Sequence, residues 1–545
     1  MKKYINRKLS FFILLCAGLF SCHDLTEINK NPNGVEPGTA NPNLVLSTVL
    51  TETGKAFVNL GYQDLAGVMQ HTQKDGWSGG HNDYDWGGSQ SWTAYYNILR
   101  DNKFVYDRSV ELGFELQQGI SLVIKSMLFG LITDLWGDAP YTDALRGAEG
   151  GGQYTFPAFD SQETIYTGII EDLEKANTLL SKTAAEYTGA VGNADVYYQG
   201  NPAKWRKLAN SLMLRYYNRI SAKKPDVAKA GMEKMYANAA QYPLITAAAD
   251  DAAMPFAGNS NADSWPANTT YDADGSNYRR LKMCATLVEK LLDLKDPRIG
   301  VWANKVQIPI VVDENLPAGT DKIENGKRYL SPDKVQVGVN THPEYVGLPP
   351  GILLGGFYNM NPNGNQAAHN PHVSWLNDMY KNASGPYLKS RLVTAAEVNF
   401  ILAEAAQRGW NTGNAETHYN AAVKASFDSW GLGSAVNAYL AGENVKYNGT
   451  QKQIIEQKWI ASWTAATEAW FDYRRTGYPE LKAGPNGKRD VLPVRFYYMQ
   501  DELNLNMVNA GEAVKKLETT PHSGTDGVNS AWSKPWVLQG TGKPW

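Results

Sequence analysis

The chain has 545 residues, of which 43% are hydrophobic, 20% charged and 11% aromatic. That is ample for a large core and excludes collagen-like and disordered classes. Against 55 acidic side chains stand 52 basic ones, a net charge of −3, so no basic field invites nucleic acid. The aromatics are uneven, with 16 Trp and 30 Tyr but 15 Phe. Rings with a polar handle suit surfaces that stack and hydrogen-bond at once, and they also serve core margins.

Lys2, Lys3, Arg7 and Lys8 precede an apolar run from Leu9 to Phe20. The run is too short to span a bilayer, so residues 1–21 read as a secretory leader. Small Ser21 sits just before Cys22, which resembles the lipobox of bacterial lipoproteins, whose cysteine is lipidated and becomes the mature N-terminus. Losing the leader removes four positive charges and no acids, taking the net charge from −3 to −7. Anchoring to a membrane then falls to the lipid, because an acidic body is not drawn to anionic headgroups. Without a disulfide framework, Cys22 has little to do except carry lipid, and Cys284 reads as a small buried hydrophobe. Residues 22–43, rich in Asn, Pro and Gly from Asn29 on, read as a tether.

Next comes KDGWSGGHNDYDWGGSQSW, Lys74 to Trp92, where Trp77, Tyr84 and Trp86 sit among glycines and short polar residues. Such a loop has no regular stripe in which to hide its rings, and loops carry function. A sugar needs a flat ring for its C–H face and carboxylate or amide groups for its hydroxyls. Asp75, Asn82, Asp83 and Asp85 supply the second need. The competing reading is that the rings fold back and pin the loop to the helices.

Beyond the loop the periodicity is helical. Ile120 to Ile132 reads as a core helix. Asp160 with Glu163 suggests a capping box ahead of the stripe Ile165, Ile169, Leu173, Leu180. Asn201 and Pro202 read as N-cap and first helical residue before Trp205, Leu208, Leu212 and Tyr216. Between about 241 and 390, Gly, Pro, Asn and Asp cluster around short apolar runs such as Ile308 to Val312. The region reads as loops with a few strands and a helix near 283–294. A second aromatic cluster lies here: Trp265, Tyr271, Tyr278, Phe357, Tyr358 and Trp375. Leu392, Ala396, Asn399, Ala403 and Ala406 then mark a helix stopped by Gly409. Ile455, Trp459, Trp463, Ala466 and Trp470 mark one late helix ending before Gly477 and Pro479. The expected organisation is a single mostly α domain over 44–545. Its helical body falls mainly in 44–240 and 390–480, with a loop-rich inserted lobe at about 241–390.

Several of these segments, taken in order, carry a resemblance. LFGLITDLWGDAPYTDAL (Leu128 to Leu145) resembles the hallmark of the SusD/RagB family of Bacteroidetes outer-membrane lipoproteins. KWRKLANSLMLRYYNRI (Lys204 to Ile220), DPRI (Asp296 to Ile299), AAEVNFILAEAAQRGW (Ala395 to Trp410) and EQKWIASWTAATEAWFDYRRTGYP (Glu456 to Pro479) match in the expected order. Glu456-Gln457-Lys458 and Ala469-Trp470-Phe471 depart from the usual late motif and mark a divergent branch. The resemblance implies a body of tetratricopeptide-like helical pairs, with the ligand-binding lobe on one side. It also implies a partner, a SusC-type TonB-dependent barrel over which the protein acts as a lid for oligosaccharide or, in some relatives, peptide cargo. Relatives complete their site from the inserted lobe, which directs attention to Trp265 and Trp375.

Other chemistries find less support. The sequence lacks HExxH, CxxC and a phosphate-cradling GxxxxGK, and it points to no cofactor. Asp272, Asp274 and Ser276 imitate a calcium loop, but Asn277 and Met283 stand where Gly and Glu should be. His369 and His372 lack a third metal ligand. Asp134 and Asp138 could be offered as a glycosidase pair, but capping and turn formation account for them. The expectation is therefore a non-catalytic, surface-anchored glycan-binding protein. Peptide cargo on the same machinery is the first alternative, and a surface glycoside hydrolase the second.

Overall fold

The structure, a computed structural model, describes residues 38–77, 79–352 and 357–544. The leader, Cys22 and most of the tether lie outside the described residues. Helices α1 (Pro42–Asn59), α2 (Thr93–Leu112), α3 (Glu115–Trp136), α4 (Gln162–Leu179), α5 (Pro202–Ile220) and α6 (Pro225–Ala237) each pack on the next. After α7 (Ala285–Asp293), the helices α8 (Ala395–Gln407), α9 (Ala415–Ser429), α10 (Gln451–Ala461) and α11 (Ala466–Thr476) form a second group. It joins the first where α8 meets α5.

α3 organises the core. It is apolar on every face and buried over nearly its whole length, as an all-round hydrophobic helix must be. Its length and composition would let it cross a membrane, yet 94% of the apolar window is buried inside the protein. Gly130 permits the closest approach, since a Cβ there would meet the Tyr216 hydroxyl of α5 at 2.1 Å. That hydroxyl donates to the Ser126 carbonyl at 3.0 Å.

Helix starts follow short polar side chains. Asn201 accepts from Lys204 N ahead of Pro202, Thr394 from Glu397 N and Thr450 from Gln453 N. One expected cap is displaced: Ser161, not Asp160, caps α4 by accepting from Thr164 N. Asp160 instead accepts from the backbone of Tyr141 and Thr142, pinning the turn after α3. The late helix is also two helices. Thr464, at φ +68°, breaks the chain between α10 and α11. The break lets Trp463 stack on Trp302 at 5.3 Å while its indole N–H donates to the Tyr380 hydroxyl. Leu392, expected in a helix, lies in a strand.

The strands are short: β1 (Thr72–Lys74), β2 (Ala252–Pro255), β3 (Leu281–Met283), β4 (Ile310–Val312), β5 (Asp321–Glu324), β6 (Lys327–Leu330) and β7 (Lys389–Val393). β2 pairs antiparallel with β7, so the chain between them leaves and returns at one place. β6 lies between parallel β4 and antiparallel β5. β1 pairs antiparallel with β3, setting Lys74 opposite Leu281 and Gln73 opposite Lys282. That pairing joins the early loop to the lobe.

Candidate functional site

The loop after β1 is shaped by one amide. The Asn82 carboxamide accepts from Lys74 N at 2.9 Å and donates to the carbonyls of Lys74 and Trp77 at 2.8 and 3.2 Å. Gly76, at φ +63°, makes the turn that this clamp closes. Trp77 is thereby held outward, 40% exposed, with Lys74 Nζ 5.2 Å and the Arg280 guanidinium 5.6 Å from its ring. Arg280 also donates to the Gly76 carbonyl, and Asp75 N donates to Arg280 O.

The opposite edge of β3 carries the second ring. Trp375 bridges Lys282 through the backbone, and Lys282 Nζ stands 4.0 Å from the centroid of the half-buried indole. The indole N–H donates to Asn370 O at 3.0 Å, and His369 meets the ring edge-on. Trp77 and Trp375 are therefore delivered to two edges of one short strand. The residues that hold them, Arg280 and Lys282, are roughly 7 Å apart along the chain. Beneath the strand pair, burial pushes the Asp75 carboxyl up, and burial pushes the Lys282 ammonium down against the favourable field of Asp75.

Other expected contacts take different roles. Asp75, Asn82, Tyr84, Trp86 and Trp265 are all buried, so they present neither a polar group to a sugar's hydroxyls nor a face on which it could stack. Trp86 meets Phe496 edge-on at 4.8 Å and Trp470 at 5.7 Å, pinning the loop to α11. Gly80 makes room for it, since a Cβ there would meet the indole at 2.6 Å. Tyr84, at φ +64°, turns its ring inward. Trp265 packs between Tyr62, Phe256 and Tyr380. Asp83 is half-buried and accepts from Asp85 N, a turn-forming bond within the loop. In the lobe, Tyr271 and Phe357 are exposed while Tyr278 is buried with its hydroxyl on the Leu376 carbonyl.

Residues weighed for metal or acid–base work are engaged by the protein. Asp272 accepts from Gly275 N, Asp274 pairs with Arg279, and His372 Nδ1 lies 2.6 Å from the Ile308 carbonyl. Asp134 is buried against Arg219, Arg474 and the Tyr166 hydroxyl. Asp138 accepts from Gln162 N and pairs with Lys516. Burial pushes the Cys284 thiol up to about 12, as suits a core position.

Sequence reasoning passed over Arg280 and Lys282. Their signal is positional: Lys282 sits across from Gln73, and Arg280 accepts from Asp75 N just beyond the pair, only once the β1–β3 register is known. Partly exposed rings with cations beside them are the kind of surface that suits a ligand recognised by stacking and hydrogen bonding. The mostly helical body and inserted lobe that present this surface are the build of a SusD-type protein. Residues 35–499 match the SusD-like family, described as starch-binding and associating with the outer membrane, and the chain belongs to that family. No curated protein matches it. Solved structures share the fold at low identity. A chitin-binding SusD homologue from Flavobacterium johnsoniae is 22% identical with a TM-score of 0.68, over 92% of this chain and 99% of that one. A SusD homologue from Bacteroides fragilis NCTC 9343 is 21% identical with a TM-score of 0.71, over 92% and 100%. Another, from Bacteroides uniformis ATCC 8492, is 23% identical with a TM-score of 0.67, over 91% and 99%.

Proposed function

We propose that the protein is a non-catalytic glycan-binding lipoprotein of the cell surface. It is anchored through lipid on Cys22, captures oligosaccharides, and delivers them to a SusC-type TonB-dependent transporter in the outer membrane. The observation that carries the reading is the delivery of Trp77 and Trp375 to opposite edges of β3, with Lys74, Arg280 and Lys282 around them. The indole faces take pyranose C–H surfaces and the half-buried Lys74 and Arg280 donate to hydroxyls, while the fully buried Lys282 braces Trp375 from within. The chitin-binding homologue from Flavobacterium johnsoniae supports a saccharide as cargo.

Two stacking rings contribute roughly 1 kcal/mol each beyond their buried area. Titration calorimetry with a panel of malto-, xylo- and chito-oligosaccharides should give a saturable isotherm for at least one. Trp77→Ala and Trp375→Ala should each weaken it about fivefold or more. A panel without binding, or binding indifferent to both variants, would sink the proposal. Co-purification of the native protein with a TonB-dependent barrel tests the partner, and mass spectrometry of the mature N-terminus tests the lipid.

A further inference from the structure

A second concavity, of about 570 Å³, shares no residue with the Trp77 surface. It opens between the loop ahead of α5, the β2–β7 pair and the C-terminal end of α9. That volume lies within the range of about 300–1,000 Å³ typical of ligand pockets. Tyr387 lines it with its ring packed on Trp430 at 5.8 Å, so the phenol is braced from behind. From the other wall comes Tyr198, set edge-on against Trp205, with its hydroxyl donating to the Asp250 carbonyl.

The charges in this groove are unevenly satisfied. Its anions are engaged: Asp251 accepts from Ala395 N at 2.7 Å and from the Ser429 hydroxyl at 3.0 Å, and Asp428 pairs with Lys424. Of its cations, Lys204 donates to the Ala249 carbonyl at 2.6 Å, but Lys389 and Arg391 find no carboxylate among the described residues. Arg391 is 9% exposed, and among the described residues no carboxylate lies within ion-pair distance of its guanidinium. Its recorded bonds run from Nη1 to the Tyr387 carbonyl and the Thr464 hydroxyl, both neutral, with the Trp430 ring 4.1 Å away. Burial lowers its pKa, and the fields of Tyr380 and Asp251 only partly offset that. Buried Arg215, Arg219, Arg298 and Arg475 each hold a carboxylate at 2.5–2.7 Å. Arg495, which lacks one, donates through Nε and Nη1 to oxygens of Trp136, Asn529 and Ser530, with its Nη2 left unpartnered among the described residues. Lys389, half-buried at the same groove, has no hydrogen bond among the described residues beyond its backbone. A buried cation short of partners favours an anion from outside.

We propose that this groove is a second saccharide subsite for an acidic sugar, the pyranose against Tyr387 and its carboxylate between Lys389 and Arg391. The inference rests on the glycan-binding reading above and adds a uronate-bearing ligand class to it. The test is calorimetry on the mature full chain with trigalacturonate and trimannuronate beside the neutral panel. Wild type should bind at least one uronate trimer. Lys389→Gln should weaken that binding about tenfold while leaving the neutral panel unchanged. Tyr387→Ala, removing the ring and not the charge, should weaken it as well. The uronate affinity should also fall as salt rises from 50 to 500 mM, about the range over which exposed charges are screened. If both trimers fail to bind, or bind Lys389→Gln and Tyr387→Ala as tightly as wild type, the subsite is overturned. Trp77-dependent binding of a neutral sugar in that same experiment would leave the primary reading standing. Silence from acidic and neutral sugars alike would remove both.

Discussion

Two tryptophans nine positions apart in one glycine-rich loop have opposite surroundings. Trp77 is 40% exposed between Lys74 and Arg280, whereas Trp86 is 7% exposed against Trp470 and Phe496. Trp86→Ala should therefore cost about 3–5 kcal/mol of stability, the range for a large buried aromatic. Trp77→Ala should stay within about 0.5 kcal/mol in stability and act on ligand affinity alone. Urea unfolding of both variants decides this, and equal losses would contradict the assignment. Asp251 makes a second residue-level prediction. Burial pushes its carboxyl up to about 6, against the Ala395 amide, the Ser429 hydroxyl and the fields of Arg391 and Lys389. The folded state then holds a proton that the unfolded chain releases near pH 4. Asp251 thus stabilises below that pH, and the contribution is lost as pH rises toward 6. Wild type should lose roughly 3 kcal/mol between pH 4 and 7 that Asp251→Asn does not lose. Parallel pH profiles for the two proteins would refute it.

At the scale of elements, packing of α3 on α5 depends on an absent side chain. A Cβ at Gly130 would fall 2.1 Å from the Tyr216 hydroxyl and 2.4 Å from the ring carbon bearing it. Gly130→Ala has a helix-propensity gain of about 1 kcal/mol in its favour, so a net loss would show that overpacking wins. Overpacking of this kind typically costs about 1–3 kcal/mol and the site has little freedom to relax, so we expect a lower denaturation midpoint. A raised midpoint would mean that α5 yields. Helix periodicity was legible because α4 and α5 bury the stripes that their sequences show, and α8 buries Ala396, Asn399 and Ala403 of its own. Their ends were less so. Asp160 and Ser161 are both good caps, and the choice turns on Asp160 being claimed by the Tyr141–Thr142 turn, a contact distant in sequence. The binding surface was half legible for a related reason. Gly-rich composition flagged the loop, but whether a ring points out or in depends on partners such as Phe496 and Arg280, which lie hundreds of residues away. Strand register, set by a three-residue pairing, leaves no periodic trace in so short a segment.

Across the whole molecule, buried ion pairs tie the first helical group to the second. From α3 and α5 come Asp134, Arg215 and Arg219; from α8 and α11 come Glu397, Glu468 and Arg474. Glu404 holds the adjoining cluster. It accepts from Arg475 through both oxygens at 2.7 Å, from Arg408 at 2.5 Å, from Gln451 at 2.8 Å and from Asn218 of α5 at 3.3 Å. Burial alone would raise its carboxyl, but Arg408 and Arg475 outweigh burial and hold it well below the usual range. A carboxyl depressed in the folded state stabilises above its unfolded pKa, and that contribution is lost as pH falls through the folded value. Glu404→Gln keeps the shape and an acceptor oxygen but leaves Arg408 without its carboxylate and Arg475 with Asp472 alone. Breaking one side of a buried pair costs about 3–5 kcal/mol. The variant should therefore be destabilised by that order at pH 7, and the gap to wild type should narrow as the solution is acidified. Its glycan affinity at pH 7 should match wild type while it remains folded, because Glu404 is absent from both the Trp77 surface and the Arg391 groove. A variant as stable as wild type at pH 7 would mean that Asp472 and the neutral acceptors satisfy both arginines. The seam between the helical groups would then rest on apolar packing rather than on these charges.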